Sequence, residues 1–382
     1  NAEFYRAATP GLPVQVAMQR GVRMYHDQTT RPLHDIRWEL LTLLAHGAFV
    51  TMVDKTGFDG WLDPAAYERI GAAFREAHAK RTHFGHQPVA EVGIYFSSRT
   101  RDWLGRERPA DYFQSFQGAH KALVYEHIPW GIVLDENATV ERLEGFPVVV
   151  LPHAAILAER EVKMLGRYVE RGGRLIVTGW SGLLGRRGEP QATSALSELL
   201  QPFRTTRQRE GKEGTDWPMS ADGPVGAAVF LNDIGKGKVL TFTCSPDCAT
   251  ASEHHIVEAR RLLANAVRFL NPTPRVRIMA PTTVQTVVTD DPAHRTLRVH
   301  LLGYNAPPQT TPAQNRPNIL PGLIEDPSMY RVRVDFAAPI KRARAFNQST
   351  DLKRRGRRLE ATVYDTHDVL IVGYGERSRQ QE

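Results

Sequence analysis

Apolar and polar positions follow two rhythms along this chain, and the change of rhythm divides it. Residues 14–18 (Val-Gln-Val-Ala-Met) read as a short buried strand. Over 35–46 the apolar residues Ile36, Leu40, Leu43 and Leu44 fall on one helical face, with Asp35 placed to cap the start and Gly47 to close the end. Ala48–Val53 reads as a second strand, and Pro64 opens a second helix that runs to about Lys80 with Tyr67, Ile70, Phe74 and Ala77 on its apolar side. Strand, helix, strand, helix implies parallel strands. A lone pair of buried parallel strands does not stand without neighbours. Residues 1–88 are therefore expected to be the C-terminal end of a larger barrel, so that the chain, which opens at Asn1 without Met, begins in the middle of a fold.

From Ala90 the pattern becomes a longer alternation. Strands are expected at 92–96, 131–134, 148–152, 175–179 and 238–243, with helices at about 111–127, 159–171 (stopped by Gly172-Gly173) and 253–270, and a polar, Arg-rich stretch at 185–220. Such alternation predicts a doubly wound α/β domain over 89–271, with helices on both faces of its sheet. Asn271-Pro272-Thr273-Pro274 reads as a linker. Beyond it no helical period survives. Short runs at 283–289, 296–302, 330–336, 341–345, 359–363 and 369–374 alternate or carry β-branched residues, which predicts a small β-sandwich over 275–382, with a Pro-rich loop from Ala306 to Pro321.

Composition narrows the function classes. The apolar fraction of 41% is ordinary for a globular chain, and no run approaches the ~20 apolar residues needed to span a bilayer. Localisation stays open, with the cytoplasm favoured. Of the net charge of +7, the one dense patch is Lys353-Arg354-Arg355-Gly356-Arg357-Arg358. With Gly356 inside it, alternating strands around it and no aromatic residues to stack bases, it reads as a solvated turn rather than a nucleic-acid site. Cys244 and Cys248 are the only cysteines, too few for a structural zinc site or a disulfide framework. No metal or cofactor is expected.

In a barrel the reacting groups sit at the carboxyl ends of the strands. After the first strand come Met18, Gln19 and Arg20, then Tyr25, His26 and Asp27; after the second come Asp54, Lys55 and Asp59. Glycoside cleavage needs two carboxylates, which makes Asp27 and Asp54 candidates by position. The reading favoured for each is a loop carboxylate that caps a turn. Arg20, Tyr25 and His26 are candidate substrate contacts. Trp61, in the loop after the second strand, could stack on a sugar ring, whereas Trp38 lies in a helix and reads as core. In the α/β part, Thr178-Gly179-Trp180-Ser181-Gly182 invites comparison with a nucleophile elbow. Trp180 holds the elbow position and cannot attack a carbonyl, so the segment reads as a turn of small residues.

Two stretches carry a resemblance. One is Leu44-Ala45-His46-Gly47-Ala48. The other is Leu151-Pro152, followed by a helix and Tyr168-Val169-Glu170-Arg171-Gly172-Gly173-Arg174-Leu175-Ile176-Val177-Thr178-Gly179. They resemble the beta-galactosidases of glycoside hydrolase family 42. The resemblance implies the end of a TIM barrel, then a glutamine amidotransferase-like (flavodoxin-like) trimerisation domain that no longer performs amidotransferase chemistry, then a small β domain. It implies a carbohydrate substrate and a homotrimer. The family's nucleophilic glutamate, which follows a Met at the end of a barrel strand, falls on Gln19 after Met18. An amide is not a competent nucleophile toward an anomeric carbon. The family's acid/base glutamate would precede Asn1. Two functions follow as expectations: the C-terminal portion of a glycoside-hydrolase-like protein, itself inactive alone, or a non-catalytic carbohydrate-binding or assembly protein on the same scaffold. A third, an amidotransferase-like or peptidase-like enzyme, is opposed by Trp180.

Overall fold

The computed structural model describes residues 2–21, 29–54, 59–107, 109–200, 219–220, 223–224, 229–252, 256–304 and 329–375. Packing gathers the chain into two units, one formed by 1–89 together with 275–382 and the other by 90–274. No helix among the described residues is long and apolar enough to cross a membrane.

The first unit opens with α1 (Ala2–Ala8), β1 (Gln15–Gln19), α2 (Leu33–Ala45), β2 (Phe49–Val53) and α3 (Pro64–Ala79), then a 3-10 turn at Arg81–His83 and the short β3 (Gln87–Pro88). β1 and β2 pair in parallel with Met18 opposite Met52, and among the described residues they pair only with each other. Met18, Val50 and Met52 pack on Ile36, Leu40, Leu41, Ile70 and Ala73 of α2 and α3. The opposite face of the pair is open: Phe49 and Val53 are about half exposed, and Ala17 and Thr51 are exposed between them. Two local expectations are corrected here. Asp35 does not cap α2, whose N-cap is Pro32; it is buried inside the first turn against Arg31. Tyr67 lies on the exposed side of α3, and Ala66 and Ala73 take the buried positions, because small side chains let the helix approach α2 closely. Asp63 caps α3 by accepting from the Ala65 and Ala66 amides.

The second unit is built on a six-stranded sheet. Its elements are β4 (Val92–Phe96), α4 (Ser98–Glu107), α5 (Pro109–Tyr125), β5 (Trp130–Leu134), α6 (Val140–Glu144), β6 (Val148–Leu151), α7 (Glu159–Glu170), β7 (Arg174–Val177), β8 (Met219–Ser220) paired with β9 (Gly223–Pro224), β10 (Val229–Ile234), β11 (Gly237–Phe242), α8 (Pro246–Ala251) and α9 (Val257–Leu270). The helix expected at about 111–127 is α5, α4 before it was not expected, and the region expected to be polar up to 220 is followed by an unforeseen strand, β10. The sheet order is β10-β11-β7-β6-β4-β5, parallel except for β10, which runs antiparallel to β11 at the edge. One face packs on α7 through Met164, Leu165, Tyr168 and Val169, the other on α5 and α9 through Ala119, Leu123, Leu263 and Val267. Burial on both faces explains why β6 is Val-Val-Val-Leu without alternation.

The chain then returns to the first unit as β12 (Val276–Met279), β13 (Val284–Asp291), β14 (Thr296–Gly303), β15 (Tyr330–Phe336), β16 (Ile340–Ala345), β17 (Asp351–Arg355), β18 (Arg358–Val363) and β19 (His367–Tyr374). Two sheets, β12-β15-β18-β17 and β16-β19-β14-β13-β3, enclose a core of Val299, Leu301, Val332, Val334, Leu359, Leu370 and Val372. The basic run lies in the β17–β18 hairpin, with Gly356 at φ 60° where a side chain would be strained. The larger sheet is covered on its outer side too: Val287 and Leu302 pack on α2 and α3. β14 is consequently buried at every position.

Candidate functional site

The carboxyl ends of β1 and β2 meet in a charged cluster. Gln19 ends β1 opposite Val53 and is half-buried. The next residue, Arg20, is buried at 5% exposure, its amide held by the Val53 carbonyl. Its guanidinium lies 2.6 Å from the Asp54 carboxylate, 3.6 Å from Asp63 and 3.3 Å from the Thr30 hydroxyl, to which it donates. Arg31 completes the group. It donates to the Gln19 carbonyl at 3.2 Å and pairs with Asp35 and Glu39. Burial alone would lower the Arg31 guanidinium, but the hydrogen bonds and charge of the two carboxylates outweigh it and raise the value above normal.

Of the residues singled out from the sequence, the structure thus joins Arg20 to Asp54 as a buried ion pair at the strand ends, with Gln19 next in chain. Trp61 is 62% exposed, its backbone amide donating to Asp59 Oδ1 at 3.0 Å. Trp38 packs edge-on against Tyr304 among core side chains. Tyr25, His26 and Asp27 lie outside the described residues. Arg31 was missed, although its spacing of four from Asp35 and eight from Glu39 on a helix start was a readable sign.

Removing one member of a buried pair strands the other. Arg20→Met is expected to cost about 3 kcal/mol of stability in urea unfolding. The double variant Arg20→Met/Asp54→Leu is expected to regain much of that; equal losses in single and double variants would show that the pair is not coupled.

The second unit has its own place to inspect. Counting β4, β5, β6, β7 and β11 as first to fifth, the parallel order is 2-1-3-4-5, whose switch point lies between β4 and β6. That place is filled by a hydrogen-bonded plug. Tyr112 Oη accepts from the Ser97 amide at 2.6 Å, Thr100 Oγ1 donates to Ser97 Oγ at 2.9 Å, and the Ile156 amide donates to Thr100 Oγ1 at 3.1 Å. Ser97, Thr100 and Tyr112 are all fully buried.

The elbow-like turn carries no nucleophile. Ser181 is 3% exposed, donates to the Thr178 carbonyl at 2.8 Å and accepts from the Ala154 amide at 2.9 Å. Trp180 stacks on His153 at 5.7 Å. Burial pushes the Cys244 thiol up, with the nearby Asp247 carboxylate adding to it, away from the thiolate that nucleophilic chemistry needs. Asp247, fully buried beneath this turn, accepts from Thr178 Oγ1 at 2.6 Å and from the Cys248 amide at 2.9 Å. Burial moves its carboxyl up to about 6, against the lowering effect of those hydrogen bonds. Among the described residues no cluster of His, Cys, Asp and Glu could hold a metal ion.

Comparison with known proteins bears on both units. Residues 90–202 match the family model described as the beta-galactosidase trimerisation domain. No curated protein sequence matches. Among solved structures, an alpha-L-fucosidase (isoenzyme 2) from Paenibacillus thiaminolyticus aligns over 98% of this chain and 63% of its own, at 18% identity and a TM-score of 0.74. A beta-galactosidase from Bacillus circulans sp. alkalophilus aligns over 97% of this chain and 57% of its own, at 14% identity and 0.66. One from Rahnella sp. R3 aligns over 98% and 56%, at 16% identity and 0.63. The chain therefore spans less than two thirds of each of these structures, and at such identities the likeness is one of fold. Residues 90–202 thus match the beta-galactosidase trimerisation domain model, and over nearly its whole length the chain is similar in fold to beta-galactosidases of glycoside hydrolase family 42 and to a fucosidase.

Proposed function

We propose that this chain is the C-terminal portion of a glycoside-hydrolase-like protein acting on carbohydrate, in which β1 and β2 are the last strands of a barrel and the 90–274 unit serves assembly. The observation that carries the reading is the open face of β1 and β2. A parallel pair packed on helices on one side, with Phe49, Thr51 and Val53 exposed on the other, has the layout of a barrel wall seen from inside. The neighbours in fold support the carbohydrate role, and the plugged switch point supports a non-catalytic 90–274 unit. Asp27 and Asp54 are the proposed carboxylates, Tyr25, His26, Arg20 and Trp61 the proposed sugar contacts, and Gln19 stands where the family's nucleophile would be.

The reading frame upstream of Asn1 tests this directly. Strand–helix repeats with a carboxylate at a strand end support it, and an immediate in-frame stop overturns it. The purified chain is expected to leave nitrophenyl galactosides and fucosides intact; turnover would place the chemistry within these residues. Sedimentation equilibrium is expected to give three times the 42.9 kDa chain mass, and a monomer at micromolar concentration would remove the assembly role.

Two observations favour a second reading, a carbohydrate-binding or assembly protein without catalysis. Gln19 cannot act as a nucleophile, and Asp54 is held by Arg20. An upstream barrel lacking a strand-end carboxylate would select this reading.

A further inference from the structure

At one end of the sandwich in the 1–89 and 275–382 unit lies a concavity of about 350 Å3, lined by Arg275, Arg295, Leu297, Phe336, Tyr374 and Gly375 among others. The size falls in the range of small-ligand pockets. Its chemistry is unevenly charged. Arg275 lies over the Tyr374 ring at 5.5 Å and pairs with Asp290 at 2.5 Å, and the Tyr374 hydroxyl donates to the same carboxylate at 3.2 Å. Asp290 is itself buried, so one acid serves both a cation and a phenol. Arg295 stands exposed on the β13–β14 turn at φ 46°, a left-handed conformation rare for a side chain of this size. Two further basic residues lie next to lining residues: Lys341 runs alongside Gly375, and Arg357 donates to the Ala337 carbonyl at 3.0 Å. Asp291, on the same turn, is engaged by His294 at 2.9 Å and lies 3.7 Å from Arg298.

We propose that this pocket binds an acidic monosaccharide unit, a hexuronate whose ring lies against Leu297, Phe336 and Tyr374 and whose carboxylate meets Arg275 and Arg295. An apolar wall in a concavity lined by two arginines suits a ligand with one C–H face and one carboxylate. The charge and the wall come from the pocket alone. The choice of a sugar among small organic anions rests on the carbohydrate role proposed above.

Isothermal titration of the whole chain with D-galacturonate and D-glucuronate tests the proposal, with D-galactose, benzoate and inorganic sulfate in parallel. Binding of a uronate that weakens as salt is raised, with no measurable heat from galactose, is expected. Arg295→Gly, which suits the left-handed turn, is expected to weaken it about tenfold without lowering the melting temperature, and Arg295→Glu to abolish it with the fold retained. Silence toward both uronates at millimolar concentration, equal binding of galactose, or no effect of Arg295→Glu overturns the site. Sulfate or benzoate binding as tightly as a uronate overturns the sugar and leaves an anion pocket only. Because binding is read without hydrolysis, loss of the barrel reading leaves a positive uronate result standing.

Discussion

Lowering the pH from 7 to 5 is expected to destabilise the 1–89 and 275–382 unit by about 4 kcal/mol or more, while the 90–274 unit holds or gains slightly. The cause is a row of buried polar groups under α2 and α3. Lys80, 2% exposed, donates to Glu76 at 2.6 Å and to the His367 carbonyl at 2.9 Å, and its ammonium lies 3.3 Å from His367 Nδ1. His367 Nε2 is in turn 3.3 Å from His300 Nδ1, and Phe84 stacks on both rings. With an ammonium facing Nδ1, His367 carries its proton on Nε2 and passes the hydrogen bond to His300. Burial, then the positive charges around them, holds both rings neutral: His300 falls to about 3 and His367 well below its ordinary value. His83, near Arg298 and Arg344, is lowered to about 4 by burial and those charges. For Glu76, burial would raise the carboxyl, but Arg37 and Lys80 outweigh it and hold it below normal.

A histidine whose folded value is depressed binds its proton in the unfolded chain first. Its contribution is complete above about 6.5 and fades as the pH falls toward the folded value, by up to about 1.4 kcal/mol per unit for each ring. The two fully buried rings therefore lose about 2 kcal/mol each at pH 5. Asp368, raised by burial, works in the opposite sense. In the other unit Asp247, raised to about 6, takes up its proton when folded and adds about 1 kcal/mol as the pH falls to 5. Calorimetry at both pH values is expected to show one transition moving down and the other not. The His300→Leu/His367→Gln variant, whatever its stability at pH 7, is expected to show a flatter pH dependence. Parallel curves for variant and parent would remove the two histidines as the cause.

Gly118→Ala is expected to destabilise the 90–274 unit by about 3 kcal/mol, against the sign that helix propensity alone gives. Gly118 lies inside α5, where alanine is worth about 1 kcal/mol over glycine. A Cβ there would overlap the backbone carbonyl of Asp247 and press on Ala251, both in α8. The carbonyl cannot yield easily, because Asp247 is fixed by Thr178 and the Cys248 amide. Steric overlap with backbone thus outweighs the propensity gain. Gly166→Ala in α7 is the control. Its Cβ would meet only Leu199, at 4.0 Å, and it is expected to stabilise by about 0.5–1 kcal/mol. Urea midpoints measure both, and an unchanged midpoint for Gly118→Ala would show that α5 and α8 do not approach so closely.

The difference between local pattern and packing recurs across the molecule. Val148–Leu151 and Tyr330–Phe336 were legible because unbroken apolar runs and strict alternation each suit one kind of strand. The β17–β18 hairpin was legible from Gly356 among charges. Arg20 and Asp54 were visible as polar residues after apolar strands, but their pairing was not, since they stand 34 positions apart and only the parallel register of β1 and β2 brings them together. Arg275, Arg295 and Tyr374 lie on separate strands and turns, so no spacing announces their pocket.

By itself the amino-acid order determined most of the longer strands and helices and the side chains available for chemistry, because periodicity and turn residues act over a few positions. Tertiary structure decided which polar positions are buried. His300 shares the polar phase of β14 with Thr296 and Arg298, and it would face water on an open sheet, as would His367 beside it. They are buried because α2 and α3, more than 200 residues earlier, cover that face, and a side chain's charge state follows from what is packed over it.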